Sequence, residues 1–219
     1  MTPSGADIGA RKSEITLIDL GGLQDPFWPV EVPVAYARAV IEACGALAPS
    51  DIPVHIVVSQ GIAERLRIDR TSCRPLSEMP TLLSRSHFAF LTPGLGNIYD
   101  AANSQTPAVW LPPANDSQGR QLHLLRSEGL YYPGADWEDL GVRVDYLQEQ
   151  SFVMAAIKER ISWLGTVEGR ARLVDTLRRS LSKLEATEQS SQDNLIRKFG
   201  RGGADAVVTI VCDWIQSGM

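Results

Sequence analysis

Two glycines stand where a short apolar run of the sequence ends, and such a pair could serve a phosphate group. The run 87–91 is followed by Thr92, Pro93, Gly94, Leu95, Gly96 and Asn97. Glycine lets a backbone approach a ligand closely or adopt a positive φ. Free amides at the start of the next helix would face that ligand, and the helix dipole would favour a negative charge there. The alternative is a plain strand-to-helix turn, since the full G-x-G-x-x-G dinucleotide pattern is absent.

Asp100 lies one turn into the helix predicted over 97–104. A carboxylate is poorly suited to contact phosphate, but it can accept hydrogen bonds from the two hydroxyls of a ribose. Asn97 could cap the same helix. The loop and Asp100 together are typical of a nucleoside diphosphate site. The simpler interpretation is a capped helix with a solvated carboxylate.

A second polar loop follows the apolar run 107–111. It carries Asn115, Asp116 and Gln118 within the segment LPPANDSQGRQ. Amides and carboxylates offer fixed donors and acceptors to sugar hydroxyls, so this loop could hold a sugar. Alternatively, Asp116 caps the helix predicted over 116–128 and the amides are solvated.

Two further loops with glycine and polar residues follow the carboxyl ends of predicted strands. One contains Gly21, Gly22, Leu23 and Gln24 after the strand 15–20, and the other contains Ser59, Gln60 and Gly61. In open α/β sheets, ligands bind beyond the carboxyl ends of the strands, where such loops meet. Ser59 could contact phosphate or could merely form a turn.

The elements that must position these loops alternate along the chain. Short β-branched or apolar runs predict strands at 15–20, 54–59, 73–76, 87–91, 107–111 and 130–132. Helical apolar spacing or helix-start signals predict helices at 33–48, 62–66, 79–84, 97–104 and 116–128. Strands separated by helices imply right-handed crossovers and a parallel sheet. The expected fold is α/β, a Rossmann-like parallel sheet of about six strands flanked by helices.

The last third of the sequence predicts a helical C-terminal extension. Helical spacing covers 152–164, 170–186 and 202–215, and the polar segment 185–194 predicts a loop. Residues 1–14 are polar and predict a flexible tail, while 15–219 show no internal repeat and predict a single domain.

The amino-acid composition argues against several classes of function. A net charge of −5 over 219 residues argues against a nucleic-acid surface. The three cysteines form no C-x-x-C pair and the three histidines are scattered, so no metal site and no cofactor are expected. The sequence shows no signal peptide and no membrane span, which favours a cytoplasmic protein.

The polar loops and their order along the chain resemble a known family. The residues that carry the likeness are the strand ending in GGLQ and the run RPLSEMPTLLSRSHFAFLTPGLGNIYDAANSQTPAVWLPPANDSQGRQ. They resemble the C-terminal, donor-binding domain of GT-B glycosyltransferases. The likeness is strongest to the peptidoglycan UDP-N-acetylglucosamine transferase and to macrolide and flavonoid glycosyltransferases. It covers 15–125 directly and extends to most of the chain.

The resemblance implies roles for particular residues. The diphosphate would lie at Gly22, Gln24, Ser59, Gly94, Leu95, Gly96 and Asn97. Asp100 stands where the family has a longer glutamate that holds the ribose. The loop with Leu76 and Met79 would meet the nucleobase, and Asp116 and Gln118 would hold the donor sugar. No residue stands out as catalytic, because His55, His87 and His123 form no triad pattern.

The expected function is therefore the donor-binding half of an inverting glycosyltransferase. It would bind an NDP-sugar, expected to be a UDP-sugar, and transfer the sugar to an acceptor held by a missing N-terminal domain or a partner chain. Two alternatives stay open. The chain could be a non-catalytic nucleotide- or sugar-binding module or complex subunit, or an unrelated α/β enzyme such as an epimerase.

Overall fold

The protein is described by a computed structural model over residues 14–24, 28–68, 71–72, 74, 76–130, 133–186 and 190–200. Five strands lie in these ranges: β1 Ile15–Asp19, β2 Val54–Val57, β3 Thr71–Ser72, β4 Ser86–Leu91 and β5 Ala108–Trp110. The helices are α1 Glu31–Gly45, α2 Gln60–Leu66, α3 Met79–Ser84, α4 Leu95–Ser104, α5 Asp116–Ser127, α6 Gln150–Leu164, α7 Val167–Ala186 and α8 Ser190–Phe199. A short 3₁₀ turn, Leu76–Glu78, precedes α3.

The strands form one parallel sheet in the order β3-β2-β1-β4-β5. Five strands in this order match the first five of the Rossmann arrangement, so the predicted fold class is confirmed. The predicted count of about six is too high. Four strands have three or more residues, and the fifth, β3, has two.

Two predicted strands are not found as predicted among the described residues, and both were expected at the edges of the sheet. The strand expected at 73–76 is displaced to Thr71–Ser72, and Leu76 already begins the 3₁₀ turn. Cys73 and Pro75 lie outside the described residues, but a proline at 75 has no N–H for a strand ladder. At the other edge, one parallel bridge joins Trp110 and Gly134, just after the strand expected at 130–132. Tyr131 and Tyr132 also lie outside the described residues.

Helices cover both faces of the sheet and give it two separate cores. Apolar side chains of α1, α2, α6 and α7 pack on one face with Ile18, Ile56 and Phe90. Those of α3, α4, α5 and α8 pack on the other with Leu17 and Leu91. Successive side chains of a strand point to opposite faces, and both faces here are apolar. This explains why the sequences of the strands are continuous apolar runs rather than alternating apolar and polar residues.

The C-terminal extension is helical, as predicted, although one segment differs. Helices α6 and α7 confirm the predictions over 152–164 and 170–186 with earlier starts. The segment 185–194 was expected to be a loop, yet α8 begins at Ser190. Leu195 of α8 is buried in the core shared with α4 and α5, and this tertiary contact accounts for a helix in so polar a sequence. The helix expected at 202–215 lies outside the described residues.

The start of the described chain is held in place. Glu14 donates its backbone N–H to the carbonyl of Arg85 at 3.0 Å, and its carboxylate pairs with the Arg85 guanidinium. None of the helices in the described ranges combines the length and the apolar composition that crossing a bilayer requires.

Candidate functional site

The candidate site lies where the sheet changes direction. From β1 the chain first adds β2 and β3 on one side, and later adds β4 and β5 on the other. The connections after β1 and β4 therefore lead to opposite faces. They leave a crevice between the carboxyl ends of these two strands, which is the usual ligand position in such folds.

The start of α4 presents unpaired amides at this crevice. The helix begins at Leu95, with Gly94 as its N-cap in extended geometry and no side chain capping it. Within the described chain, the amides of Leu95, Gly96 and Asn97 have no hydrogen-bond acceptor, whereas the amide of Ile98 already bonds to Gly94. Three free amides at the positive end of a ten-residue helix can bind an anion.

Gly94 and Gly96 do not adopt the positive φ that the sequence analysis considered. Neither glycine has a positive φ, so turn geometry does not require glycine at either position. A Cβ built on either one would meet nothing within 4 Å. Open space above both positions leaves the amides accessible, so the absence of side chains matters for access rather than for backbone strain.

Asn97 does not cap α4, contrary to the sequence-based expectation. It is the third residue of the helix, and its side chain is buried. The side-chain amide donates to the backbone oxygen of Thr92 at 3.0 Å and lies 3.2 Å from the Thr92 hydroxyl. Its main-chain amide faces the crevice while its side chain fixes the preceding loop.

Asp19, the last residue of β1, is the important residue that the sequence analysis missed. It is 3% exposed, and its carboxylate accepts hydrogen bonds from the Asn97 side chain and the Gly21 amide. Burial raises the pKa of Asp19 from 3.8 to about 7, against the lowering effect of these hydrogen bonds, and the nearby charge of Asp100 adds to the rise. The signal available in the sequence was an acidic residue at a strand end, two positions before Gly21-Gly22.

Asp100 lies one turn into α4 and is half-buried. Desolvation raises its pKa above the ordinary value. Its charge raises the pKa of Asp19, so the two carboxyl groups lie near each other. A ribose contact by Asp100 is not tested by this geometry and stays a prediction.

Hydrogen bonds join the three loops that surround the crevice. The Thr92 hydroxyl donates to the Gly21 carbonyl at 2.8 Å, and the Asn115 side chain donates to the Gly22 carbonyl at 2.9 Å. Gly22 has a φ of +70°, a conformation that an L side chain rarely adopts. The loops after β1, β4 and β5 are thus fixed relative to one another.

The side chains of Gln118 and Asp116 both interact with other groups of the protein. Gln118 is 2% exposed, and its side chain donates toward the Gly21 carbonyl at 3.3 Å while accepting from the Ala114 amide at 2.9 Å. Asp116 accepts a hydrogen bond from Gln150 and lies 3.9 Å from Arg120. Asn115, not Asp116, caps α5 by accepting the Gln118 amide. Gln118 therefore holds the loops together, and a direct sugar contact does not fit its buried amide.

Ser59 and Gln24 lie beside the carboxyl end of β2. The Ser59 hydroxyl is enclosed and has no hydrogen-bond partner among the described residues. Gln24 is exposed, and its side-chain amide would lie 3.3 Å from a Cβ at Gly61. A phosphate contact by either residue stays a prediction, and Ser59 would need a local opening to make one.

Leu76 and Met79 lie at the start of the segment between β3 and β4. Leu76 opens the 3₁₀ turn, and Met79 is 3% exposed in the core beneath α3 and α4. Ser77 and Glu78 between them line a cavity with Ile15 and His55, in the amino-terminal halves of β1 and β2. A buried Met79 side chain leaves only its main-chain groups for a nucleobase.

The three histidines supply no base at the crevice. His55 and His87 are the second residues of β2 and β4, near the opposite edge of the sheet. His123 is exposed on α5. Burial and the charges of Arg74 and Arg85 lower the pKa of His55.

The similarity of this chain to known proteins is limited to solved structures. No family model and no curated protein matches the chain. Matching solved structures include the glycotransferase of kitacinnamycin, with 18% identity over 89% of this chain and a TM-score of 0.35. They also include CalG4, the calicheamicin glycosyltransferase, with 16% over 91% and 0.39, and the spinosyn rhamnosyltransferase SpnG, with 18% over 84% and 0.38.

The chain spans 45%, 45% and 49% of these three matched chains. The function proposed for this chain is argued from the geometry of the crevice and from the residues that surround it.

Proposed function

We propose that this chain is the donor-binding half of an inverting glycosyltransferase and that it binds an NDP-sugar, with UDP as the expected nucleotide. The observation that supports this most is the set of unpaired amides of Leu95, Gly96 and Asn97 at the crevice between β1 and β4. The diphosphate would bind there, with Gly22 and Gln24 on the other side.

The same amides would also contribute to the reaction. Transfer breaks the bond between the sugar and the diphosphate, and negative charge develops on the departing phosphate oxygen. Amides and a helix dipole aimed at that oxygen stabilise the charge without reorganising, which lowers the barrier. An acceptor hydroxyl, supplied by another domain or chain, would attack the opposite face of the sugar carbon and invert it, and the hydroxyl proton would pass to a base on that same domain or chain.

Asp100 is proposed to accept hydrogen bonds from the ribose hydroxyls. It lies on α4 one turn beyond the amides, and its half-burial would strengthen a hydrogen bond to a neutral hydroxyl relative to water. Asp116 would approach the sugar from the loop after β5. Leu76 and Met79 would approach the nucleobase through main-chain groups.

A second candidate, nucleotide-sugar binding without transfer, is favoured by one observation. Gln118 and Asp116, the residues expected to hold the sugar, already bond within the protein. A domain that recognises mainly the nucleotide would need no further sugar contacts.

A ligand screen tests the proposal directly. Differential scanning fluorimetry and calorimetry with UDP, dTDP, GDP, ADP and their glucose conjugates should show stabilisation by at least one nucleotide, most by a UDP compound. Absence of any shift or heat at millimolar ligand would refute the proposal. Release of UDP from UDP-glucose with water as acceptor, above the rate without protein, would favour transfer. Tight binding without release would favour the second candidate.

A further inference from the structure

A buried carboxyl group lies directly behind the proposed diphosphate site. Asp19 accepts hydrogen bonds from the Gly21 amide and from the Asn97 side chain, and the main-chain amide of Asn97 is one of the unpaired donors of α4. One residue thus contacts Asp19 with its side chain and would contact the anion with its backbone. The two sites are therefore within Coulombic reach of each other through a buried environment.

Among the residues that the structure describes, none that acts on Asp19 carries a positive charge to balance an anion. Val57 on β2 and Leu91 on β4 are its neighbours in the sheet, and both are apolar. On α4, Asn97 is neutral and Asp100 is the charged side chain that acts on it. The acid and carboxylate forms of Asp19 are close in free energy near neutral pH, since its pKa is raised to about 7.

We propose that Asp19 takes up a proton from solvent when an NDP-sugar binds, so that the diphosphate and the buried carboxyl group are never both fully ionised. The inference rests on the proposed function, because it describes how that same site responds to its ligand. Asp19 is a positioning residue in this scheme. It acts on the ligand through Asn97 and through its charge.

The direction of the pH dependence follows from linkage. Below about pH 6, Asp19 already carries its proton, and affinity should not depend on pH. As pH rises through 7, binding must drive protonation, so affinity should fall, by up to about tenfold per pH unit once Asp19 is largely ionised. Proton uptake should be about half a proton per ligand at pH 7 and should approach one proton near pH 8, until the pKa of the bound state is reached.

Isothermal titration calorimetry with UDP-glucose tests this, because its diphosphate diester has no group that titrates between about pH 5 and pH 9. Titrations at pH 7.5 in PIPES and in Tris, whose ionisation enthalpies differ, measure the protons taken up. The unchanged protein should take up more than about half a proton at that pH. Asp19→Asn should take up none, and its affinity should be constant from pH 5.5 to pH 8.5.

Asp100→Asn is the matched control, because Asp100 is the other carboxyl group at the crevice. It should retain the proton uptake even if its affinity is lower. Loss of the uptake in Asp100→Asn and its retention in Asp19→Asn would overturn the inference. If Asp19→Asn does not fold, the uptake by the unchanged protein and by Asp100→Asn decides the matter.

The outcomes separate this inference from the proposed function. UDP-glucose binding with no proton uptake and no pH dependence would overturn the inference and leave the proposed function in place. No binding of any NDP-sugar at any pH between 5.5 and 8.5 would overturn both.

Discussion

The side chain of Gln118 donates to the carbonyl oxygen of Gly21 at 3.3 Å, although 97 residues separate them in the sequence. The oxygen of the same side chain accepts the Ala114 amide at 2.9 Å. One buried amide therefore holds the loop after β1 against the loop after β5.

Gln118→Ala should lower the free energy of unfolding by about 2 kcal/mol, because the buried Ala114 amide loses its acceptor and the Gly21 carbonyl keeps only the Thr92 hydroxyl as a side-chain donor. Urea denaturation followed by circular dichroism measures the change. The neighbouring exposed Ser117 provides a control, and Ser117→Ala should change stability by less than about 0.5 kcal/mol. Equal effects of the two substitutions would show that the Gln118 link does not hold the loops.

Gly96→Leu should leave the fold intact and weaken ligand binding. The position is helical, its φ is not positive, and a Cβ there meets nothing within 4 Å, so leucine should raise stability by about 0.5 to 1 kcal/mol. Its side chain would cover the amides of α4, and UDP-glucose affinity should fall at least about tenfold, which is about 1.4 kcal/mol. Calorimetry measures the affinity and urea denaturation the stability.

Gly45→Leu is the matched control for Gly96→Leu. Gly45 is likewise exposed, helical and surrounded by open space, but it ends α1 near the amino-terminal edge of the sheet. It should gain similar stability and keep full affinity. A Gly96→Leu protein that binds UDP-glucose as tightly as Gly45→Leu would remove the α4 amides from the site.

Asp100→Ala should lower UDP-glucose affinity by about tenfold to a hundredfold, the effect of losing hydrogen bonds to a charged group. The same experiment with the 2′-deoxy analogue isolates the ribose contact. The unchanged protein should prefer the ribose form, and Asp100→Ala should bind both forms equally. The exposed Asp51 precedes β2 at the opposite edge, and Asp51→Ala should retain the preference.

Stability should depend on pH through Asp19, in the direction set by its raised pKa. The folded protein binds this proton more tightly than the unfolded chain does, so the group favours folding below about pH 4. That contribution is lost progressively as pH rises from 3.8 to about 7. At 1.36 kcal/mol per pKa unit, the contribution of Asp19 to the free energy of unfolding changes by about 4 kcal/mol over this pH range.

Asp19→Asn should therefore be more stable than the unchanged protein at pH 8 and should lose most of that advantage at pH 4. Chemical denaturation at both pH values measures the difference. An advantage of equal size at pH 4 and pH 8 would contradict the raised pKa of Asp19, whatever the ligand.

The sequence was sufficient for the elements whose pattern is local. The run that becomes β4 and the spacing of α6 and α7 predicted their structures, because continuous apolar runs and helical periodicity report burial directly. The two-residue β3 and the bridge at Gly134 are edge features fixed by contacts with β2 and β5. Such contacts leave no periodic signal.

The sequence indicated the loops of the candidate site but not the contacts within them. Glycines at 94 and 96 marked the transition from β4 to a helix, although α4 begins at Leu95, two residues before the predicted start. The Asn97 side chain is oriented by its hydrogen bond to the carbonyl of Thr92 in the loop before α4. The Gln118 side chain is held by its hydrogen bond to the carbonyl of Gly21 in the loop after β1. Asp19 escaped notice because a carboxylate ending a strand is ordinarily solvated, and its burial arises only when α4 packs over it.

The packing of α8 sets a limit on how this domain can be shortened. Leu195 shares an apolar core with Ile98 and Ala102, the inward face of α4. A fragment that ends after α7 would expose that face to water and let the first turn of α4 fray. Fragments that end before residue 190 should therefore bind the ligand more weakly, even where the sheet still folds.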